Sequence, residues 1–433
     1  MSKLWKEWLT TAEKFPQKTV LIDALINQSI TAERLTQKAE QLSEELFKKT
    51  EKSIVAFCLP NGIELITFFL AIQKANAIAL PLDNTLSDEA QWNMARQLEA
   101  DYLLKNQRLH RLNKKYRKNK NSCLIKLTSG TSGQSKIIYC SAKNMLADGK
   151  QIISTMRIKK SDINLGLIPF GHSYGLGNLI MPLIIQGTTI VTASAFVPSQ
   201  VAQWIKQYRV TVFPSVPTIF QLLHELPSAR SLTPLRLAIS AGAPLSPDVA
   251  KKFFQKFKLK IHNFYGSSET GGICYDQTGQ ASLSGRSVGK PLKGVKVKIS
   301  PNHRIQVKSR SVYCHTFLLR DLGKWNRWKE IELLGRQKPL INIGGKKVDP
   351  REIELLLRSE KNISEVWVIP LNEKKREAFA LFIESLLNEK KIHHLLQQKL
   401  PAWKLPKKII VMSKLPRTSR GKLDVNQLQK LLQ

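Results

Sequence analysis

The chain has 433 residues, 42% of them hydrophobic, enough for two or three domains of about 100–200 residues with large buried cores. Lys plus Arg number 68 against 33 Asp plus Glu, a formal charge of +35, and the lysines are spread along the whole chain. That spread reads as solvated surface rather than a dedicated polyanion site. The five cysteines (Cys58, Cys123, Cys140, Cys274 and Cys314) form no C-x-x-C pair, and the odd count in a long chain reads as reduced thiols, for which a cytoplasmic setting is expected.

Met1 to Trp8 lacks the continuous apolar core of a signal peptide. Residues 31–49 carry Ala32, Leu35, Ala39, Leu42, Leu46 and Phe47 at helical spacing. Ser53–Leu59 reads as a buried strand that stops at the turn Pro60-Asn61-Gly62. Glu64–Lys74 returns to the helical period, and Ala77–Leu82 is again strand-like. This alternation predicts an α/β layer with a parallel sheet. Lys105–Lys120 is the one dense basic cluster, with eight Lys/Arg, no acid and a lone Tyr116. It reads as an exposed connection, because a base-stacking platform needs interleaved aromatics.

Ile163–Ile205 contains no Asp, Glu, Lys or Arg, but Pro169, Pro182, Pro198 and several glycines interrupt it. Interior strands and loops are expected there, not a spanning helix of roughly 20 apolar residues. Strands then follow at Val210–Phe213, Leu235–Ser240 and Lys260–Tyr265, with helices at Pro217–Glu225 and Pro247–Phe257. Ligands gather at the carboxyl ends of such strands. From Val288 the pattern changes, and Val295–Ile299 and Arg304–Lys308 alternate as half-exposed strands do. Beyond Gly335 a small further α/β unit is predicted: helix Glu352–Leu357, strands Glu365–Ile369 and Ala378–Ile383, and helix His393–Lys399. The domain boundary is placed near Arg336–Lys338, and His393-His394 has no partners at metal-ligand spacing.

The strongest local chemical signal is Thr128, Ser129, Gly130, Thr131, Ser132, Gly133, Gln134, Ser135 and Lys136. Glycines let backbone N–H groups approach phosphate, hydroxyls donate to its oxygens, and the lysine adds a compact charge. The spacing is not that of a Walker loop. By itself the segment is equally a flexible polar loop.

Further segments follow in order: Pro169-Phe-Gly-His172-Ser-Tyr-Gly175, Val216-Pro217-Thr218, Gly242-Ala243-Pro244-Leu245 and Tyr265-Gly266-Ser267-Ser268-Glu269-Thr270-Gly271. Asp321-Leu322-Gly323, Leu334-Gly335-Arg336, Gly344-Gly345-Lys346-Lys347 and Leu415–Lys422 complete the series, with Leu59-Pro60-Asn61-Gly62 at its start. Together they resemble the acyl-adenylate-forming superfamily of acyl-CoA synthetases, peptide-synthetase adenylation domains and luciferases, over nearly the whole chain. Ser132 and Ser135 stand where relatives commonly carry Thr and Pro, and Leu319-Arg320 where Thr-Gly precede the ribose aspartate.

The resemblance implies an α/β fold: a large N-terminal adenylation domain over residues 1–337, with a reduced β-rich subdomain, and a small mobile α+β lid over 338–433. It implies that Thr128–Lys136 grips ATP phosphates, that Gly242, Ala243, Pro244, Tyr265 and Gly266 line the adenine side, and that Ser268 bonds the α-phosphate. Glu269 would hold Mg²⁺, Asp321 the ribose, Arg336 the ribose or phosphate, and Lys422 the carboxylate and α-phosphate. Lys338 would be the hinge, and Gly344, Gly345 and Lys346 the thiol-acceptor side. His172 looks like a gate beside the acyl pocket; a satisfied core histidine explains it as simply.

Amino-acid-activating relatives usually carry an Asp near the acyl pocket, yet Ile163–Ile205 has no acid. A buried ammonium without a partner is costly, so a fatty or aromatic acid is expected. The acceptor expected is CoA, with an acidic carrier protein as the alternative, and neither specific nucleic-acid binding nor more than weak anionic-surface association. A non-catalytic relative binding acyl-AMP or polyanions is the rival reading.

Overall fold

A parallel sheet needs apolar strands covered on both faces, and the interior runs of this chain supply them. The computed structural model describes residues 1–432 apart from 49, 113–120, 129–135, 194–197, 226–231, 338–340, 344–345, 374–375 and 419–422. Two units are distinguished: the first holds residues 1–300, 306–318 and 324–332, the second 301–305, 319–323 and 333–433.

Two sheets organise the first unit. A six-stranded sheet runs in the order Arg108–Arg111, Tyr102–Lys105, Ile54–Phe57, Ile78–Pro81, Leu124–Thr128, Lys136–Cys140. Its inner strands are parallel, and each edge is an antiparallel hairpin. A nine-stranded sheet runs in the order Lys290–Pro291, Gly271–Tyr275, Ile261–Ser267, Leu237–Ser240, Val212–Ser215, Ile163–Gly166, Thr189–Thr192, Thr19–Asp23, Gln28–Thr31. From Thr19–Asp23 to Ile261–Ser267 its neighbours pair in parallel. Helices Lys3–Lys14, Ala32–Leu46, Ile63–Lys74 and Ala142–Met156 pack their apolar faces into the largest core, where Leu4, Trp5, Trp8, Leu35, Phe69 and Met145 are buried. A second core, with Phe213, Phe220 and Phe253 in edge-to-face contact, fills the opposite face under helices Pro217–Glu225 and Pro247–Phe257.

In the second unit, strands Ile363–Glu373 and Arg376–Ser385 form an antiparallel pair, and Lys408–Met412 joins in parallel. Helices Pro350–Arg358 and Glu389–Lys399 cover one face through Ile353, Leu357, Ile392 and Leu396. Strands Lys296–Ile299, Arg304–Lys308, Thr316–Trp325 and Ile331–Arg336 occupy the stretch of chain in which the division between the units falls.

The mixed α/β class expected from the sequence is the one observed. One stretch differs. Ile163–Ile205 is not mainly strands and loops: Ser173–Gln186 is continuous helix, with a π-helical turn at Leu176–Ile180. Its glycines serve close packing instead of breaking the helix: a β-carbon at Gly177 would sit 2.9 Å from Ile152 Cδ1. Among the described residues, no helix is long and apolar enough to cross a membrane.

Candidate functional site

The carboxyl ends of the parallel strands carry the motif segments of the first unit. Tyr265 and Gly266 end strand Ile261–Ser267, which returns as Gly271–Tyr275 through a β-bulge between Tyr265 and Gly266. A side chain at Gly266 would press on the Gly271 carbonyl oxygen, 2.6 Å from its β-carbon, so only glycine lets the two backbones meet. The turn is tied by Ser267 Oγ, which accepts the Thr270 N–H at 3.2 Å, and by Ser311 Oγ, which donates to Thr270 O at 2.8 Å. Thr270 is fully buried, while Ser268 and Glu269 stay half-exposed at the tip. Tyr313 has its hydroxyl pKa raised by partial burial, by Cys314 and by the negative charge of Glu269, so the Glu269 carboxylate lies within electrostatic reach of Tyr313.

Gly242, Ala243 and Pro244 follow the neighbouring strand Leu237–Ser240, whose Ser240 is in register with Asn263. Gly242 takes φ +88°, a left-handed conformation that glycine adopts without strain. Beside them, Ser215 and Ser240 are paired in register, and both side-chain oxygens are buried with no hydrogen-bond partner among the described residues.

His172 caps the helix that follows Pro169–Gly171, and its carbonyl accepts the Leu176 N–H at 2.7 Å. Two anchors hold this segment over the strand ends. Asn61 donates to Ile168 O at 2.8 Å and accepts the Phe170 N–H at 2.9 Å. Tyr174 Oη bonds Ile239 O at 3.0 Å and Ser215 O at 3.3 Å, and its ring lies 5.8 Å from that of Phe264. Burial pushes the Tyr174 pKa well above the usual tyrosine range, so the hydroxyl stays a donor. His172, the Gly242 turn and the Tyr265–Glu269 hairpin are therefore borne on linked segments at one end of the sheet.

Thr128 and Lys136 end the hairpin strands Leu124–Thr128 and Lys136–Cys140 and are paired in register. Ser129, Gly130, Thr131, Ser132 and Gly133 lie outside the described residues, as do Lys338, Gly344, Gly345 and Lys422. In the second unit, Arg336 Nε stands 3.6 Å from Asp321 Oδ1, so the two expected ribose contacts face each other. Lys346 lies with its ammonium 4.9 Å over the Trp403 ring, a cation–π contact. Among the described residues no group of three or more His, Cys, Asp or Glu could hold a metal. A single carboxylate such as Glu269 does suit Mg²⁺, which takes one or two carboxylates with phosphate and water oxygens.

The sequence reading passed over helix Ala142–Met156. It carries a polar stripe, Asn144, Asp148, Gln151 and Thr155, among buried Met145, Ile152 and Met156. Asn144 donates to Arg310 O at 2.9 Å, Asp148 accepts the Gly272 N–H at 2.8 Å, Gln151 donates to Ser309 Oγ at 2.9 Å, and Thr155 accepts the Lys293 N–H at 3.0 Å. Polar residues recurring on one face of an otherwise apolar helix were the available signal.

A glycine-rich group of segments at the ends of parallel strands, with one carboxylate at a hairpin tip, sits in a mixed α/β fold that carries a small C-terminal unit. The sequence profile of the AMP-binding enzyme family matches residues 8–124 and 111–307, and that of its C-terminal domain matches 352–422; the chain belongs to this family. It is 24% identical to the 2-succinylbenzoate–CoA ligase of Lactococcus lactis over 464 residues, covering 98% of this chain and 100% of that protein. It is 26% identical to the probable CoA ligase CCL5 of Humulus lupulus over 343 residues, covering 70% and 62% of the two chains. The first curated relatives it matches are covered over 62–66% of their own length. The fold is that of ATP-bound MatB from Rhodopseudomonas palustris, with a TM-score of 0.81, 21% identity, and 100% and 99% of the chains covered.

Proposed function

We propose that this protein activates a carboxylic acid with ATP and passes the acyl group to a thiol. The carboxylate oxygen attacks the α-phosphorus of ATP, pyrophosphate leaves, and acyl-AMP forms. The thiol sulfur then attacks the acyl carbonyl and AMP leaves. Both reactants of the first step are anionic, so the protein's task is charge neutralisation and positioning.

The observation that carries this reading is the linkage of the Pro169–Gly175 segment, by the Tyr174 hydroxyl, to the strand that precedes Gly242 and, by the Tyr174 ring, to Phe264 in the paired strand that leads to the Glu269 tip. In the proposal, Tyr265, Gly266 and Gly242–Pro244 receive adenine, Ser268 the α-phosphate and Thr128–Lys136 the pyrophosphate end. Glu269 would hold Mg²⁺, whose charge would offset that of the phosphates. Asp321 and Arg336 would part to receive the ribose, and Lys422, on the lid formed by 338–433, would bridge the carboxylate and α-phosphate. Lys338 would be the lid's hinge, and Gly344–Lys346 would face the acceptor.

The acid proposed is fatty or aromatic. Ile163–Ile205 has no acidic partner for a substrate ammonium. The acceptor proposed is CoA, which the relatives' names favour over a carrier protein. The test is ATP–pyrophosphate exchange across fatty and aromatic acids, followed by mass spectrometry with CoA added. Acid-dependent exchange and an acyl-CoA product are expected. No exchange with any acid, alongside tight binding of acyl-AMP, would favour a non-catalytic binding protein.

A further inference from the structure

Asp148 is 2% exposed on a helix whose other inward side chains include Met145, Ile152 and Met156. Taking a carboxylate out of water is costly, and an apolar side chain would pack there without that cost. Its surroundings are specific. Oδ1 accepts the Gly272 N–H at 2.8 Å, in the strand that returns from the Ser268–Glu269 tip. A β-carbon at Gly271 would come within 2.5 Å of Asp148 Cγ, and one at Gly177, in the π-helical turn behind His172, within 3.2 Å of Oδ2. Lys126, 5% exposed, belongs to the strand Leu124–Thr128 that leads into the phosphate loop. Burial pushes the Asp148 pKa up, while the charge of Lys126 and the Gly272 N–H act against it.

We propose that Asp148 is a positioning residue: its carboxylate holds the Ser268–Glu269 hairpin tip in register with the helix that follows the phosphate loop. The inference deepens the proposed function, since it rests on Ser268 and Glu269 being nucleotide contacts. Asp148 touches no substrate. It acts through Gly272, two residues beyond Thr270, so its loss loosens the tip that meets Mg-ATP and leaves the acyl side unchanged.

Two double variants separate this role from packing. Asp148→Asn/Lys126→Met and Asp148→Leu/Lys126→Met both remove both buried charges, but only asparagine keeps an oxygen for the Gly272 N–H. Melting temperature, amide hydrogen exchange of the 266–275 peptide, Mg-ATP binding by calorimetry and KM values in pyrophosphate exchange are measured. The asparagine variant is expected to stay near wild type in the last three. The leucine variant is expected to melt below it, to lose protection over 266–275 and to raise KM for ATP about tenfold, as for one lost buried hydrogen bond, with KM for the acid unchanged. Equal protection and equal ATP affinity in the two variants overturn the proposal. If the leucine variant does not fold, Gly271→Ala displaces the same carboxylate from the other side; unchanged ATP affinity there overturns it equally. If wild type exchanges with no acid, the functional reading fails, while hydrogen exchange and calorimetry still decide the role of Asp148.

Discussion

Gly175 is helical, with φ −64°, so alanine there meets no backbone strain, only a lack of room. An alanine β-carbon would overlap the Pro169 carbonyl oxygen and come within 2.9 Å of the Pro169 carbonyl carbon and 3.0 Å of Phe170 Cα. Ordinary contact begins at 3.4 Å, and the obstacle is backbone that Asn61 holds through Ile168 O and the Phe170 N–H. Gly175→Ala must therefore push Pro169–His172 outward or the helix inward. Overpacking of this kind costs about 1–3 kcal/mol, and each kcal/mol lowers the melting temperature by roughly 2–4 °C in a unit of this scale. His172 moves with the segment, and misplacement approaching 1 Å costs up to about 100-fold in rate. In pyrophosphate exchange, kcat/KM for the acid is expected to fall about 10- to 100-fold while KM for ATP stays near wild type. A Gly175→Ala protein with wild-type melting and wild-type kcat/KM for the acid would refute the reasoning.

Tyr174→Phe keeps the ring against Phe264 but removes the donor to Ile239 O and Ser215 O; a loss of about 0.5–1.5 kcal/mol by denaturant melt and a several-fold higher acid KM are expected, and no change in either contradicts the anchor. Gly242→Ala has open space, its nearest neighbour being Val216 Cγ1 at 3.6 Å, but φ is +88°; backbone strain of about 1–2 kcal/mol should appear in the melt, and a neutral result contradicts it. Burial raises the Asp162 carboxyl, but hydrogen bonds from Arg236, the Lys159 N–H and Thr211 outweigh it and hold the pKa below the usual carboxylate range. The ionised form therefore stabilises the fold fully above the unfolded pKa of roughly 3.9, and that stabilisation disappears as pH falls through the folded value. Asp162→Asn should lower the melting temperature most above about pH 5, with the gap to wild type closing in acid; a pH-independent gap contradicts the assignment.

Local signals made much of the fold legible. Helix Pro247–Phe257 has its predicted bounds because Ser246 caps it and Pro247 fits its first turn. The strand expected at Val210–Phe213 lies at Val212–Ser215, with Pro214 inside it. Proline cannot donate to a ladder, which is why the sequence suggested an end there. The helix within Ile163–Ile205 was hidden for a related reason. Glycine and proline read as breakers, but Gly175 and Gly177 answer to neighbours from other segments, and Pro182 follows the π-helical turn Leu176–Ile180 within the helix. The site divides in the same way. Tyr265, Ser268 and Glu269 can be proposed from the sequence because one short motif carries them. The tasks of Asn61 and Asp148 were not, since their partners lie 107 and 124 residues away in the chain.

The central claim is adenylation of an acid, and acid-dependent ATP–pyrophosphate exchange without thiol tests it most directly, run on wild type and Lys422→Ala across a panel of fatty and aromatic acids. The account predicts exchange by wild type with at least one acid, and none above background by the variant. Exchange by Lys422→Ala at the wild-type rate would contradict the role given to that lysine, and no exchange by wild type with any acid would contradict the claim itself.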